Sequence, residues 1–404
     1  MQLKTTFTYP PKFRSGGARN GLPDGQYPTS HHHSPSLRFP LLPRPSSHKP
    51  AVMEISGDRP KKEITYCVTG GSGYIGSWLV KSLLEKGYKV HATTRDPEKA
   101  SKVLSFGNDH GGRLKVFKAD MIEPGSYDAA VEGCDGVFHV AAHMEFGVYS
   151  RQNPDSYLKS DVHKLATAGT LNVLEACLKA KTVKRVVMTS SVSIITARDV
   201  GGKLKSTVVD ESCLNSIDSI LRARAHGWVY AASKIIADQT ALKFVNEKGL
   251  DLVSIIPSTV GGPFLTPTVP ASLQVLLSPF TGDRGLYPII TAVNSRLGCI
   301  PIVHIEDICD AHIFLMEERE AKGRYICSAH SCDLHQLTDF CNQQYSLPVK
   351  HKLSDEPEGW TPTTLSSERL KKLGFQFKHG MKKILKDTVD CSAELGLLSS
   401  TPPN

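Results

Sequence analysis

Acidic residues are almost missing from the first 52 positions, where Asp24 stands alone against seven Lys or Arg at 4, 12, 14, 19, 38, 44 and 49. That stretch holds +6 of the chain's formal +8, which leaves +2 for all the rest. No basic nucleic-acid face can be built from so little. Apolar periodicity is missing there too, amid Pro, Ser, Gly and the run His31-His32-His33. Residues 1–60 are therefore expected to form a disordered extension, with a plastid transit peptide or an in-frame start at Met53 as the sharper readings. Charge is absent altogether from residues 252–282, as it would be in a membrane span. Prolines at 257, 263, 267, 270 and 279, with Gly261-Gly262, break any spanning helix. A buried strand and an apolar loop are expected instead. No secretory signal precedes the ten cysteines, so reduced thiols in the cytoplasm are expected, or in a plastid if the extension is a transit peptide. Cys327, His330, Cys332 and His335 are spaced too closely to surround one tetrahedral ion, and no metal is expected. Internal repeats are also lacking.

What is present begins at Ile64. A short apolar run ends at Thr69 and passes into glycines at 70, 71, 73 and 76, and Ile75, Leu79, Leu83 and Leu84 then repeat at helical spacing. Strand, tight turn and helix in that order suit a dinucleotide pyrophosphate: glycine lets backbone approach, and the helix start offers unpartnered N–H groups. The glycines fit two frames, Gly71-x-Gly73-x-x-Gly76 and Gly70-x-x-Gly73-x-x-Gly76 after Thr69, with Tyr74 and Ile75 inside both. Further strands are expected at 88–94, 114–120, 136–141, 183–189 and 252–256, and helices near 160–180 and 228–248. This rhythm implies right-handed βαβ units and a doubly wound, Rossmann-type α/β sheet over 61–257. Residues 258–397 are expected to form mostly a substrate-binding cap, with some segments returning to the core, ahead of a tail at 398–404. Ser366–Gly374 reads as a helix with a glycine stop.

An NAD site usually carries an acid after the second strand. Thr94 and Arg95 stand there, and a guanidinium suits the additional 2′-phosphate of NADP(H). Lys102 adds charge. Asp120 and Met121 follow strand three toward the adenine, and Val140, Ala141 and Ala142 are small enough for backbone to approach the ribose.

Strand five ends in Met188-Thr-Ser-Ser191, and Tyr230 and Lys234 share one face of the later helix. A phenol has a pKa near about 10, and a neighbouring ammonium moves it toward useful acid–base work. A serine would hold a carbonyl oxygen while hydride arrives, and Lys234 would also bond the nicotinamide ribose. Ser190 and Ser191 point to opposite sides of the strand, so spacing alone leaves the serine open.

These motifs resemble the extended short-chain dehydrogenase/reductases. Ala92-Thr-Thr-Arg-Asp-Pro97, Lys181-Thr-Val-Lys-Arg185, Val209-Asp-Glu-Ser212, Ser278-Pro-Phe-Thr-Gly282, Val303-His-Ile-Glu-Asp307 and Gly323-Arg-Tyr-Ile-Cys-Ser328 are similar to the plant dihydroflavonol 4-reductase and anthocyanidin reductase group, over about residues 60–397. The resemblance implies an NADPH-dependent reductase of a flavonoid or related phenolic carbonyl. It also implies Arg95 and Lys102 toward the 2′-phosphate, Ser191 as the triad serine and Pro257 near the nicotinamide. Dihydroflavonol 4-reductases tend to carry Asn where Thr196 stands, and 284–300 is unlike that branch. His143, Met144, Phe146, Thr196 and Trp228 are the expected substrate contacts. The alternatives are a 3β-hydroxysteroid dehydrogenase, an aldehyde reductase, a sugar-nucleotide epimerase, which Thr94-Arg95 disfavour, and a non-enzymatic NADP(H) sensor, which the retained Tyr–Lys pair disfavours. A monomer or homodimer is expected.

Overall fold

Continuous apolar runs become strands buried on both faces, which a parallel sheet between two helix layers requires. The computed structural model describes residues 63–142, 162–199, 201–351 and 361–398. The expectations for residues 1–60, for His143, Met144 and Phe146, and for the tail lie outside them.

Seven strands form the main sheet: β1 (Thr65–Thr69), β2 (Lys89–Thr94), β3 (Leu114–Lys118), β4 (Gly136–His139), β5 (Arg185–Thr189), β7 (Leu252–Pro257) and β10 (Gly323–Cys327). A two-residue strand, β6 (Val208–Val209), intervenes in sequence. The order is β10-β7-β5-β4-β1-β2-β3 and every pairing is parallel. β4 and β5 are buried along their whole length, whereas β3 at the edge is largely exposed. The chain winds outward from β1 to β3 and then returns to place β4 on the other side of β1. That reversal opens a crevice at the carboxyl ends of β1 and β4, where ligands of such sheets bind. Beneath one face lie Leu79, Leu83 and Leu84 of the Tyr74–Glu85 helix with Ile308 and Leu315 of the Ile305–Glu317 helix. Against the other pack Val173 and Leu174 of the His163–Ala180 helix and Phe244 of the Trp228–Lys248 helix.

A second sheet, β8 (Thr259–Gly261), β9 (Ile300–His304) and β11 (His330–Cys332), has the order β11-β9-β8. Its core draws on helices Ala271–Thr281, Tyr287–Leu297, Leu334–Tyr345 and Met381–Glu394. β6 pairs with β12 (Thr364–Leu365). β10 and the Ile305–Glu317 helix return to the main sheet after the second one has begun. The ten cysteines are free thiols. Cys327 packs into the main core and Cys332 into the second, so their close spacing in sequence does not bring them to one site.

Two expectations fail locally. The apolar loop expected through residue 282 contains the Ala271–Thr281 helix, with Pro279 inside it. Proline there removes the donor for the Val275 carbonyl, and Ser278 Oγ replaces it at 2.7 Å. The helix expected over 366–374 is shorter, Glu368–Lys372, and Gly374 beyond it has a φ of 106°.

Candidate active site

At the end of β1 the chain enters a turn that only glycine can make. Gly70 has a φ of 69°, and a Cβ on it would lie 3.0 Å from Ala141 Cα. A Cβ on Gly76 would lie 2.1 Å from the Gly70 carbonyl oxygen. Gly73 caps the Tyr74–Glu85 helix without any side-chain hydrogen bond. The first-turn N–H groups and the positive end of the helix therefore remain available at the crevice, a cradle that fits a dinucleotide pyrophosphate. Gly70, Gly73, Tyr74, Ile75 and Gly76 all line the resulting cleft of about 1300 Å³. The Tyr74 hydroxyl donates to Gly262 O at 3.1 Å, tying the turn to the loop after β8.

Thr69 is placed differently from the other turn residues. It is fully buried, and its Oγ accepts the Val140 and Ala141 N–H groups at 3.1 and 3.0 Å. With both of those bonds accepted, its own proton points to His139 Nδ1 at 3.1 Å. Burial, then the nearby Lys234 charge, hold His139 down to about 3, so the imidazole is neutral and Nδ1 can accept. Thr69 thus braces the β4 end instead of facing the cleft.

Along the adenosine end, Arg95, Asp120, Met121, Val140, Ala141 and Ala142 line the cleft. Thr94 beneath them bonds Ser72 Oγ at 3.0 Å and accepts Asp96 N–H at 3.2 Å, which fixes the turn carrying Arg95. Arg95 is exposed and makes no ion pair with the described residues. Lys102 does not line the cleft. It sits exposed in the last turn of the Pro97–Val103 helix, whose start Asp96 caps by accepting the Lys99 N–H. Asp120 Oδ1 accepts the Ile122 N–H at 3.1 Å and so shapes its own loop while facing the cleft.

At the other end, Ser191, Tyr230, Lys234 and Pro257 converge on the same cleft. Ser191 Oγ accepts the Ser193 N–H at 3.2 Å and is hydrogen-bonded to the Tyr230 hydroxyl. The Ser190 hydroxyl is buried with no partner among the described residues. Burial raises the Tyr230 phenol, partly countered by the Ser191 bond. Lys234 Nζ donates to Thr189 O at 3.0 Å. Burial lowers Lys234 to about 8, against the opposing pull of Asp238. Thr196 is buried and spends its hydroxyl on the Arg198 backbone, giving to O and taking from N at 3.1 Å each. Trp228 opens its helix at the cleft wall, with the Arg224 guanidinium 5.5 Å above the ring.

A pH dependence follows from Lys234. The ammonium is present below about 8 and lost above it, whereas the raised phenol keeps its proton across that range. Reduction should therefore fall as pH rises through about 8. Asp238→Asn removes the charge that holds Lys234 up and should move this limb to lower pH. A limb that stays in place in the variant's pH–kcat profile would show that Lys234 does not set it.

The model of the NAD dependent epimerase/dehydratase family matches residues 66–327. This chain belongs to that family. Within it, the chain is 43% identical over 339 residues to a Ginkgo biloba protein named "Putative anthocyanidin reductase", covering 83% of this chain and 96% of that one. It is 40% identical to the dihydroflavonol 4-reductase of Arabidopsis thaliana, over 83% and 84% of the two chains. Among solved structures it is similar to vestitone reductase from alfalfa (Medicago sativa), with 32% identity, a TM-score of 0.67 and coverage of 83% and 99%.

Several cleft residues of this family member escape a reading by motif. Ser72 sits inside the glycine turn as a variable position. Ser193 and Ser258 follow the ends of β5 and β7, and both hydroxyls are buried without partners among the described residues. Hydroxyls just past the carboxyl ends of strands were the available signal. Arg296 lines the cleft from the Tyr287–Leu297 helix, inside the segment with no assigned role. Its signal was an arginine with Ala292 and Val293 at the preceding helical neighbour positions and the apolar Cys299 and Ile300 just after it, with no acid among them.

Proposed function

We propose that this chain is an NADPH-dependent reductase of a flavonoid-type or related phenolic carbonyl. The observation that carries the reading is the Tyr230 hydroxyl bonded to Ser191 in a cleft that runs without interruption to the glycine turn and Arg95. Bound in that cleft, the nicotinamide cofactor supplies the hydride. Ser191 orients the substrate oxygen, and Tyr230 delivers the proton as charge develops there. The Lys234 ammonium supports the phenolate that remains. Thr69 fixes the β4 end through Val140 and Ala141, so the wall facing the ribose is held before cofactor arrives. Arg95, exposed and without an ion pair among the described residues, faces the position where only NADPH carries a phosphate. The flavonoid class is supported by the plant reductases to which the chain is similar.

Titration of the full chain with both cofactors tests the first half of this reading. Wild type should bind NADPH more tightly than NADH. Arg95→Ala should weaken NADPH by roughly ten- to a hundredfold, the effect of losing a charge-assisted pair, and leave NADH nearly unchanged. Equal losses for both cofactors would remove Arg95 from phosphate recognition. Turnover of dihydroflavonols, anthocyanidins and simple aldehydes with NADPH tests the second half, and a preference for the aldehydes would overturn the flavonoid assignment.

A further inference from the structure

We propose that the substrate end of the cleft is an oxyanion pocket, in which Arg296 and the Ser193 hydroxyl receive an ionised phenol or a carboxylate of the aromatic substrate. The proposal deepens the reductase reading and takes from it only that this end of the cleft holds substrate.

Arg296 reaches the cleft from the Tyr287–Leu297 helix and is only partly exposed. Its Nη1 donates to Val192 O at 3.2 Å and to Ile195 O. Those carbonyls belong to the turn that follows Ser191, so the guanidinium sits within one turn of the serine that meets the substrate oxygen. Two carbonyls occupy both Nη1 protons and leave Nε and Nη2 without a partner among the described residues. Among the described residues no carboxylate pairs with the guanidinium. A clamp on the turn explains Nη1 alone. It does not explain a whole positive charge drawn partly out of water at a cleft wall, where an unpaired cation is costly.

Two further observations point the same way. Ser193, within the clamped turn, lines the cleft with a buried hydroxyl that has no partner among the described residues. Arg198 lines the same end, and among the described residues its guanidinium bonds carbonyls alone, Ser295 O at 2.8 Å and Gly202 O at 3.1 Å. Asp199, which also lines this end, accepts the Gly201 and Lys203 N–H groups through Oδ1 at 2.9 Å each. Arg296 Nε and Nη2 and the Ser193 hydroxyl remain donors without a partner among the described residues. An oxyanion on a planar aromatic body supplies the missing acceptor, and a planar guanidinium pairs with such a group through two parallel N–H bonds.

Calorimetric titration of the full-length protein, saturated with NADPH, distinguishes the two sources of the charge. Caffeate is compared with methyl caffeate, and 4-nitrophenol above its pKa with 4-nitroanisole. At least about tenfold tighter binding of an anion than of its neutral partner supports the pocket, and the pair that shows it names the group recognised. No preference for either anion in wild type overturns the proposal, whatever the variants do. Arg296→Gln should bring the ratio close to one while NADPH affinity holds and Tm falls modestly from loss of the bonds to the Val192 and Ile195 carbonyls, and Arg296→Lys should retain part of it. A ratio that persists in Arg296→Gln would also overturn the proposal, since the anion would then be read elsewhere. Binding is measured without turnover, so an enzyme that reduced no flavonoid at all would still report on this pocket.

Discussion

Tyr230→Phe is expected to lower kcat for reduction by roughly a hundred- to ten-thousandfold, the range for removing a positioned general acid. The phenyl ring keeps its place in the Trp228–Lys248 helix, so the wall of the cleft survives and only the proton and the bond to Ser191 are lost. NADPH affinity should stay within about threefold, because the glycine turn and Arg95, which line the same cleft, are left unchanged by the substitution. The measurement is kcat beside a direct NADPH titration. Activity close to wild type would remove Tyr230 from the chemistry, and a parallel loss of NADPH binding would make its role structural.

Gly76→Ala should have an effect of comparable size by a different route. The added methyl would fall 2.1 Å from the Gly70 carbonyl oxygen, a backbone atom that cannot move without moving the turn. Gly70 cannot give way easily, since it is already held at positive φ against Ala141. NADPH binding should weaken at least about a hundredfold, and the fold should lose on the order of 1–3 kcal/mol, as overpacking usually costs. Gly73→Ala is the internal comparison. Its Cβ would lie 3.3 Å from the same oxygen, a contact that a shift of a few tenths of an ångström relieves. The loss there should be clearly smaller, by both NADPH titration and thermal melting. Equal losses at the two positions would show that crowding of the Gly70 carbonyl is not what constrains the turn.

The same distances separate the two ways of framing the glycines. Gly70 is the residue at positive φ, against Ala141, whereas a Cβ added to Gly71 would fall 2.9 Å from Ala92 Cβ. The constraint at Gly71 is packing of the turn against β2, not approach to a phosphate. Such local geometry is legible in a sequence because the turn, the helix start and the Tyr–Lys spacing each need particular residues a few positions apart. The strands were legible for a similar reason, since a sheet covered on both faces leaves long apolar runs.

What escaped the sequence depends on distant partners. Arg296 and Ser193 are brought together only by the fold. Thr69 belongs to the phosphate motif by spacing, yet its hydroxyl is used up by Val140, Ala141 and His139. Lys102 follows Arg95 closely in sequence, but the helix capped by Asp96 carries it out of the cleft. The Ala271–Thr281 helix was hidden by Pro279, because the Ser278 hydroxyl that repairs the break cannot be weighed from composition.

Transfer of isotope tests the central claim most directly. The full-length protein is given a dihydroflavonol and NADPH deuterated on the transferable position of its nicotinamide, and the product is examined by mass spectrometry and NMR. The account predicts an alcohol with one deuterium on the former carbonyl carbon, formed by wild type at least about a hundredfold faster than by Tyr230→Phe. A product without deuterium, or no product from a protein that binds NADPH tightly, would contradict it.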